Sequence, residues 1–216
     1  DFLGLARWAG MEDLPGEDQN PCVNDQDKRV DSLQKRFIRA ICREVAIGAA
    51  NVRINPEWIE WGKGTLTQAL KDEPNDQSLN YYQSKLHFAQ GAPEQAIKCL
   101  APVLRRQSRA AWTWALLGEI LEATQSEDAL TCYVHATQLA REEQEVAKIR
   151  IHLAQRLALL GRFNEAAHQA SLAFQYRERQ SFKVPEELQQ LVASDWYKQA
   201  VANHSLQPLP PVEAAA

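Results

Sequence analysis

Several short stretches of this sequence contain residue types that could support chemistry. The run WGKGT at residues 61–65 combines glycines with a lysine, as do the loops that cradle phosphate groups with backbone N–H groups. In such loops a serine or threonine directly follows the lysine, because its hydroxyl binds the metal ion of the nucleotide. Here Gly64 takes that place, and the run lies in a segment with helical spacing. We interpret it as part of a helix and not as a phosphate site.

Acidic residues form two runs that invite comparison with metal sites. Glu142, Glu143 and Glu145 lie in the run AREEQE, and the run DQDKRV at residues 25–30 begins like a calcium-binding loop. The second run lacks the glycine of such a loop, and Arg36 stands at its twelfth position, where the loop needs an acid. We interpret the first run as a charged corner and the second as a solvated loop, and expect no metal site.

Catalytic spacings are also missing from the sequence. The histidines and cysteines show neither the HExxH pattern nor the paired spacing of zinc sites. The sequence contains no G-x-S-x-G run, no paired catalytic carboxylates and no cysteine–histidine nucleophile setting. We therefore expect a protein that is not an enzyme and that uses no cofactor.

The bulk composition is that of an ordinary soluble protein, with 216 residues, of which 45% are hydrophobic and 24% charged. No apolar run approaches the roughly 18 residues that a membrane-spanning helix needs, so we expect no membrane partner. The four widely spaced cysteines predict reduced, buried thiols in a cytoplasmic protein. A net charge of −4 excludes a strongly basic nucleic-acid-binding protein, but it leaves room for a local basic patch.

Helical spacing dominates the chain, and small residues return at a nearly constant interval. One series consists of Gly62, Ala96, Ala129 and Ala166, and a second series, seven residues later, of Ala69, Val103, Ala136 and Ala173. Successive members are 34, 33 and 37 residues apart in both series. Two helices can approach closely only where a side chain is short. The period therefore predicts stacked pairs of antiparallel helices.

Glycine and proline residues agree with this period. Gly91 and Gly161 follow the first helix of a predicted pair, where a left-handed residue ends a helix. Pro93 suits the first turn of the second helix, and Pro74 closes the preceding half-unit. These positions predict the turns of the helical pairs.

The repeating unit resembles the tetratricopeptide repeat, a helix-turn-helix of about 34 residues. WALLG at 114–118 and GRFNEA at 161–166 match its motifs closely, and ALKDEPND is similar to the end of a repeat. The resemblance covers roughly residues 57–176 and implies an all-α fold, a right-handed α-α superhelix. The middle repeat departs from the pattern because it lacks the turn glycine, and the link into the last repeat is longer.

A narrower resemblance concerns the order of motifs from WTWALLGEILE to FKVPEELQQL. This order is similar to that of an uncharacterised bacterial family of tetratricopeptide proteins linked to tellurium-type stress or conflict systems. Some members carry a small β-barrel domain downstream. The resemblance implies a fragment of a longer bacterial protein with partners in a stress response.

We predict four regions along the chain. They are an N-terminal loop and helical segment at 1–50, repeats at 51–184 (a partial repeat at 57–76, then three repeats to about 180), a capping helix at 185–204 and a flexible tail or linker at 205–216. In the first region Asp31 and Gln34 have the spacing of a capping box, which predicts that a helix begins there. The capping helix covers the last apolar face of the array.

Two tryptophans, Trp112 and Trp114, point about 200° apart on a helix, so one buried stripe cannot hold both. We interpret Trp114 as core, and Trp112 either as a binding residue or as filling between adjacent first helices. In tetratricopeptide arrays the first helices line the concave face where peptides dock, so the resemblance implies a non-catalytic scaffold that binds a protein or peptide there. The predicted partner-binding residues are Tyr81, Lys85, Phe88, Trp112, Glu119, Glu122, Lys148 and Gln155.

A second hypothesis is a helical repeat domain that binds RNA or phosphate through basic patches. The candidate arginines are Arg36, Arg39 and Arg43 in the N-terminal helix and Arg105, Arg106 and Arg109 between repeats. A solvated helix face is the simpler interpretation of the first three. The second hypothesis includes a place for this domain in a larger bacterial stress-response protein. A third hypothesis is a regulatory domain of a larger protein.

Overall fold

The computed structural model describes residues 2–23, 25–51, 55–122 and 124–212, and this part of the chain is predominantly helical. Its helices are α1 (Phe2–Trp8), α2 (Leu33–Asn51), α3 (Pro56–Asp72), α4 (Gln77–Ala89), α5 (Pro93–Arg106), α6 (Ala111–Leu121), α7 (Ser126–Leu139), α8 (Glu143–Leu159), α9 (Phe163–Arg179), α10 (Glu186–Ala193) and α11 (Asp195–Ala202). Two short strands, β1 (Cys22–Val23) and β2 (Arg29–Val30), pair antiparallel. The predicted all-α class is confirmed. The chain divides into two compact units, residues 1–106 and 107–216.

The first unit is built around α2, which packs against α1, α3 and α4, while α4 packs against α5. The apolar stripe of α2 lies at the centre of this unit, because Ile41 and Val45, one helical turn apart, are both buried in its core. The buried residues of this core are Leu3, Ala6, Ile41, Cys42, Val45, Leu66, Leu79 and Leu86.

The start of α2 corrects the predicted capping box. The helix begins at Leu33, and the Ser32 hydroxyl accepts a hydrogen bond of 3.2 Å from the Lys35 N–H. Asp31 lies one residue too early for this role, and its carboxylate instead pairs with Arg39 at 2.5 Å. Serine and aspartate are similarly good helix caps; here Ser32 is the cap and Asp31 is paired with Arg39.

The second unit consists of two helical pairs and two short helices. α6 packs against α7 and α8 against α9, and α6 and α7 both contact α8. α10 and α11 cover α9. The largest fully buried side chains of this unit are Leu116, Ile120, Leu153, Leu157, Leu188, Val146 and Thr113.

The small residues of the repeating series lie in these helix contacts, as predicted. Gly62 is buried, Ala129 is 2% exposed, and Ala96 and Ala166 are 0% exposed. In the second series Val103, Ala136 and Ala173 are buried, and Ala69 is half-buried. The interval of about 34 residues therefore marks places where neighbouring helices touch.

The two turn glycines also behave as predicted. Gly91 and Gly161 adopt φ values of 72° and 74°, in the left-handed region that ends helices. The following N–H groups of Ala92 and Arg162 donate back to carbonyls five residues earlier, each at 2.9 Å. This pattern satisfies carbonyl groups at the ends of α4 and α8 that the helices leave unpaired.

The predicted capping helix at 185–204 is interrupted. Ser194 has ψ 150°, so α10 ends before it and α11 begins after it. The Ser194 hydroxyl donates to the Leu191 carbonyl at 2.6 Å and helps to close α10. The bend turns a single predicted helix into two short ones that both pack on α9.

The segment at 205–216 was predicted to be a flexible tail or linker, and its described part makes contacts with the second unit. The Gln207 N–H donates to the Asn164 carbonyl at 3.2 Å, and Leu209 and Val212 pack against the core of the second unit. Residues 213–216 lie outside the described part of the chain. Residues 205–212 are therefore held against the second unit.

The cysteines were predicted to be buried thiols, and this is correct only for some of them. All four are free, but Cys22 is exposed and Cys99 half-buried, whereas Cys42 and Cys132 are buried. Burial raises the pKa of the Cys42 thiol to about 12, so it remains protonated at neutral pH.

Two glycines of α3 offer a matched test of the contact between α2 and α3. A Cβ atom on Gly62 would lie 2.2 Å from the Val45 Cγ2 atom, whereas a Cβ on Gly64 would meet nothing within 4 Å. We expect Gly62→Ala to lower the free energy of unfolding by about 2 kcal/mol, because overpacking against a β-branched side chain outweighs the gain in helix propensity. Gly64→Ala should raise it by about 0.5–1 kcal/mol. Urea unfolding measures both values, and equal stabilisation by the two substitutions would contradict this contact.

Candidate functional site

The predicted partner-binding residues of the second unit lie on α6 and α8. Trp112 and Glu119 on α6 are exposed, and so is Lys148 on α8. Gln155 on α8 is half-buried. Because α6 and α8 pack against each other, these side chains occupy neighbouring helices. We call this set, with Glu122 at the end of α6, the first-helix face.

Glu122 is less available than predicted, because it joins α6 to α8 and α7. Its carboxylate is 18% exposed and accepts hydrogen bonds from His152 Nε2 at 2.9 and 3.1 Å. Arg156 forms an ion pair with the same carboxylate, and the Tyr133 hydroxyl donates to it at 3.4 Å. Glu122 is thus held by its neighbours in the chain, and it forms part of the floor of the face.

Burial controls the protonation of the two rings beside Glu122. It lowers the pKa of His152, and the negative charge of Glu119 only partly opposes this effect. It also raises the pKa of the Tyr133 hydroxyl, with Glu119 acting in the same direction. The rings pack edge to face, with centroids 4.9 Å apart. His152 was predicted to be a satisfied structural histidine among apolar neighbours; it packs on Tyr133, but its hydrogen-bond partner is the Glu122 carboxylate.

Two cavities flank this cluster. One of about 410 Å³ is lined by Glu122, Leu130, Tyr133, Arg156 and Leu160, among others. The other, of about 710 Å³, lies between α8 and α10 and is lined by residues that include His152, Gln155, Arg156, Leu159, Glu187 and Gln190. Arg156 and Leu159 border both cavities. The surface beside the first-helix face is therefore concave and combines apolar with charged groups.

Trp114 was predicted to be core, but it is half-buried and packs at the edge of a core cluster of the second unit. Trp114 packs edge to face on His135, with centroids 4.6 Å apart, and its indole N–H donates to the Ser108 carbonyl at 2.8 Å. Trp112 is 42% exposed. Trp114 holds the pair of helices α6 and α7 together, and Trp112 offers a large apolar surface to solvent.

The other three predicted residues lie in the first unit, on α4. Lys85 Nζ lies 5.7 Å from the centroid of the Tyr81 ring, a cation–π arrangement. Tyr81 and Phe88 are half-buried. The eight predicted residues thus form one group on α4 and another on α6 and α8.

The arginines of the alternative hypothesis are not all available for a ligand. Arg39 pairs with Asp31 at 2.5 Å and with Asp76 at 2.6 Å, so its charge is already matched. Arg106 donates to the Asn75 carbonyl at 2.8 Å. Arg36, Arg105 and Arg109 are exposed, and so is Arg43, which pairs with Glu44 at 3.0 Å. Of the three arginines on α2, the central one, Arg39, is therefore engaged in internal ion pairs.

Sequence reasoning missed the acidic partner of that pair. Asp76 is 4% exposed and caps α4 by accepting the Leu79 N–H at 3.0 Å. Lys35 lies 3.6 Å from the same carboxylate and also pairs with Glu73. The spacing of Asp76 before the start of α4 could have identified the cap, but its partners on α2 lie 37 and 41 residues away in sequence.

The acidic run at the start of α8 is a charged corner, as predicted. Glu143 accepts two hydrogen bonds of 2.8 Å from Arg150, which also donates to Gln169 on α9. In the described residues, no three His, Cys, Asp or Glu side chains are grouped so that they could hold a metal ion. Among the same residues, no helix is both long enough and apolar enough to span a membrane.

Comparison with known proteins supplies a family. No curated protein matches the chain. A family model described as domain of unknown function DUF7017 matches residues 77–210, from the start of α4 into the segment that follows α11. Because this match covers more than half of the sequence, the chain belongs to the DUF7017 family.

Proposed function

We propose that this chain is a non-catalytic scaffold that binds a protein or peptide partner across its first-helix face. The proposal includes a tetratricopeptide-like array that forms a right-handed α-α superhelix. Helical pairs with short turns and buried small residues at a near-constant interval support this architecture. The resemblance to tetratricopeptide arrays, in which first helices line the face where peptides dock, points to α6 and α8 as the binding surface.

The observation that carries the proposal is the exposure of Trp112. Its side chain is 42% exposed, on a helix that also carries the exposed Glu119. Exposed tryptophan beside charged groups is typical of the residues that contribute most to protein–protein binding. Glu119 and Lys148 supply charges of opposite sign on the adjacent helices.

The cluster around Glu122 gives this face a fixed shape. Three hydrogen-bonding side chains from α7 and α8 converge on one carboxylate at the end of α6. A surface that is ordered before binding loses less conformational entropy when a ligand arrives. The face therefore suits a peptide that places an apolar anchor at Trp112 and charged groups beside Glu119 and Lys148.

A peptide selection tests the proposal. A random peptide library is selected on the full chain, and enriched peptides are labelled for anisotropy titrations against Glu119→Lys, Lys148→Glu and the control Glu178→Lys on α9. We expect at least one of the first two substitutions to weaken binding roughly tenfold, about 1.4 kcal/mol, and the control to have no effect. Failure to enrich any peptide, or equal binding by all variants, would contradict the proposal. Binding of an RNA oligonucleotide that weakens steeply with salt would favour the basic-patch hypothesis instead.

A further inference from the structure

The segment that follows α11 has a regular pattern of burial. Leu206, Leu209 and Val212 are half-buried, while the residues between them (Gln207, Pro208, Pro210 and Pro211) are exposed. Every third residue thus faces the protein. A polyproline II helix has three residues per turn, so side chains at this spacing share one edge of it. The sequence LQPLPPV, with three prolines, favours that conformation.

Two residues of the second unit, Gln138 and Asn164, form hydrogen bonds with this segment. The Gln138 side-chain amide on α7 donates to the Pro210 carbonyl at 2.9 Å and accepts from the Val212 N–H at 3.0 Å. At the start of α9, the Asn164 carbonyl accepts from the Gln207 N–H at 3.2 Å, and its side chain accepts from the Ser205 hydroxyl at 3.1 Å. Three of these four bonds involve backbone groups of the segment. Such contacts hold an extended peptide whatever its side chains are.

The apolar edge of the segment meets a surface that contains aromatic residues. Leu209 and Val212 pack against a core cluster whose members include Ala129, Val134 and Ala166. Trp196 packs against the same cluster and stacks on Phe163, with ring centroids 5.7 Å apart and planes inclined by 23°. Aromatic surfaces beside main-chain hydrogen-bonding groups are typical of sites that recognise proline-rich peptides.

We propose that this surface, formed by α7, the start of α9 and Trp196, is a binding site for proline-rich peptides in the polyproline II conformation. Residues 205–212 occupy it as an exchangeable ligand from the same chain. The preferred ligand places apolar side chains at every third position, with proline between them. The match to the family model extends to Pro210, so most of the segment belongs to the family's domain. This site is separate from the first-helix face, because its hydrogen-bonding groups lie on α7 and α9.

The first experiment measures binding of a labelled synthetic peptide with the sequence of residues 203–212. The full chain carrying Leu209→Asp and Val212→Asp should bind this peptide at least tenfold more tightly than the unaltered chain, whose own segment competes at high effective concentration. Adding Gln138→Ala to that variant should weaken binding about tenfold, since two hydrogen bonds are lost. Gln175→Ala, an exposed glutamine on α9, is the matched control and should change nothing.

A second measurement needs no charged substitution in the apolar edge. Hydrogen exchange of the Val212 amide in the full chain should accelerate at least tenfold in Gln138→Ala, and also when excess peptide displaces the segment. Three results would overturn the proposal: equal binding of a scrambled peptide of the same composition, no difference between the double variant and the unaltered chain, or an unchanged Val212 exchange rate in Gln138→Ala.

Discussion

Replacing Asp76 with alanine is expected to lower the free energy of unfolding by about 3 kcal/mol. The side chain of Asp76 is 4% exposed and lies 2.6 Å from Arg39 Nη2 and 3.6 Å from Lys35 Nζ. It also caps α4 through the Leu79 N–H. The substitution therefore leaves two cations of α2 without their most buried partner and removes a helix cap. Chemical unfolding at neutral pH measures the change.

Asparagine at the same position separates the two effects. Its side-chain oxygen can still accept the Leu79 N–H, but it carries no charge for Arg39 and Lys35. We expect Asp76→Asn to cost about 2 kcal/mol, and the remaining difference of about 1 kcal/mol is the value of the cap. Asp72→Ala, an exposed acid at the end of α3, serves as the control and should change stability by less than about 0.5 kcal/mol. A loss in Asp76→Asn as small as that of the control would contradict the ion pairs.

The pH dependence gives an independent check on the same group. Burial disfavours the charged form of Asp76, but the hydrogen bonds from Arg39 and the Leu79 N–H, with the charges of Arg39 and Lys35, outweigh it and lower its pKa below 3.8. A carboxyl group with a lowered pKa stabilises the fold above its unfolded-state pKa, and this contribution is lost as pH falls through the folded-state value. As the pH falls from 5 to 3 and below, the free energy of unfolding should therefore decrease more in the unaltered chain than in Asp76→Asn. Urea unfolding at several pH values measures the two decreases.

Local signals in the sequence predicted much of the fold. Gly91 and Gly161 act within one turn of their own helices, and both adopt the predicted left-handed conformation. Ala96, Ala129 and Ala166 could be predicted to be buried from their regular spacing alone. Each pair of helices repeats the same close contact, so a short residue returns at the same place. Such features depend on residues that are close together in the chain or on a regular spacing, and both can be recognised in a single sequence.

The features that could not be predicted depend on distant parts of the chain. Asp76 is nearly buried because Arg39 and Lys35 of α2 pair with it, and these lie 37 and 41 residues away in sequence. Residues 205–212 look like a linker by composition, but they lie against Gln138, which is more than 70 residues away in sequence. No local sequence pattern predicts such contacts.

The candidate site shows the same division. The spacing of Trp112 and Trp114 predicted opposite environments, since the direction of a side chain on a helix follows from its position alone. Glu122 was predicted to face a partner, but its contacts with His152 and Arg156 depend on how α6 meets α8. Helix periodicity therefore predicted the directions of the two tryptophans, and tertiary packing decided which of the neighbouring charges are already paired.

Trp112→Ala is expected to weaken binding of the selected peptides about 30-fold, roughly 2 kcal/mol, with no measurable change in Tm. The reason is that much of the Trp112 side chain is already in contact with solvent, at 42% exposure. Its removal takes this exposed apolar surface from the ligand. Anisotropy titration measures the binding, and thermal unfolding of the same samples measures the stability.

Trp114→Ala is the matched control, two residues further along the same helix. It should lower the free energy of unfolding by about 3 kcal/mol, because the ring packs on His135 and its N–H bonds the Ser108 carbonyl. Titrations at a temperature where both variants are folded then separate binding from stability. If Trp112→Ala destabilises the protein as strongly as Trp114→Ala, Trp112 is filling a gap between first helices. If it leaves both Tm and peptide affinity unchanged, the ligand does not use α6, and the first-helix face is not the binding surface.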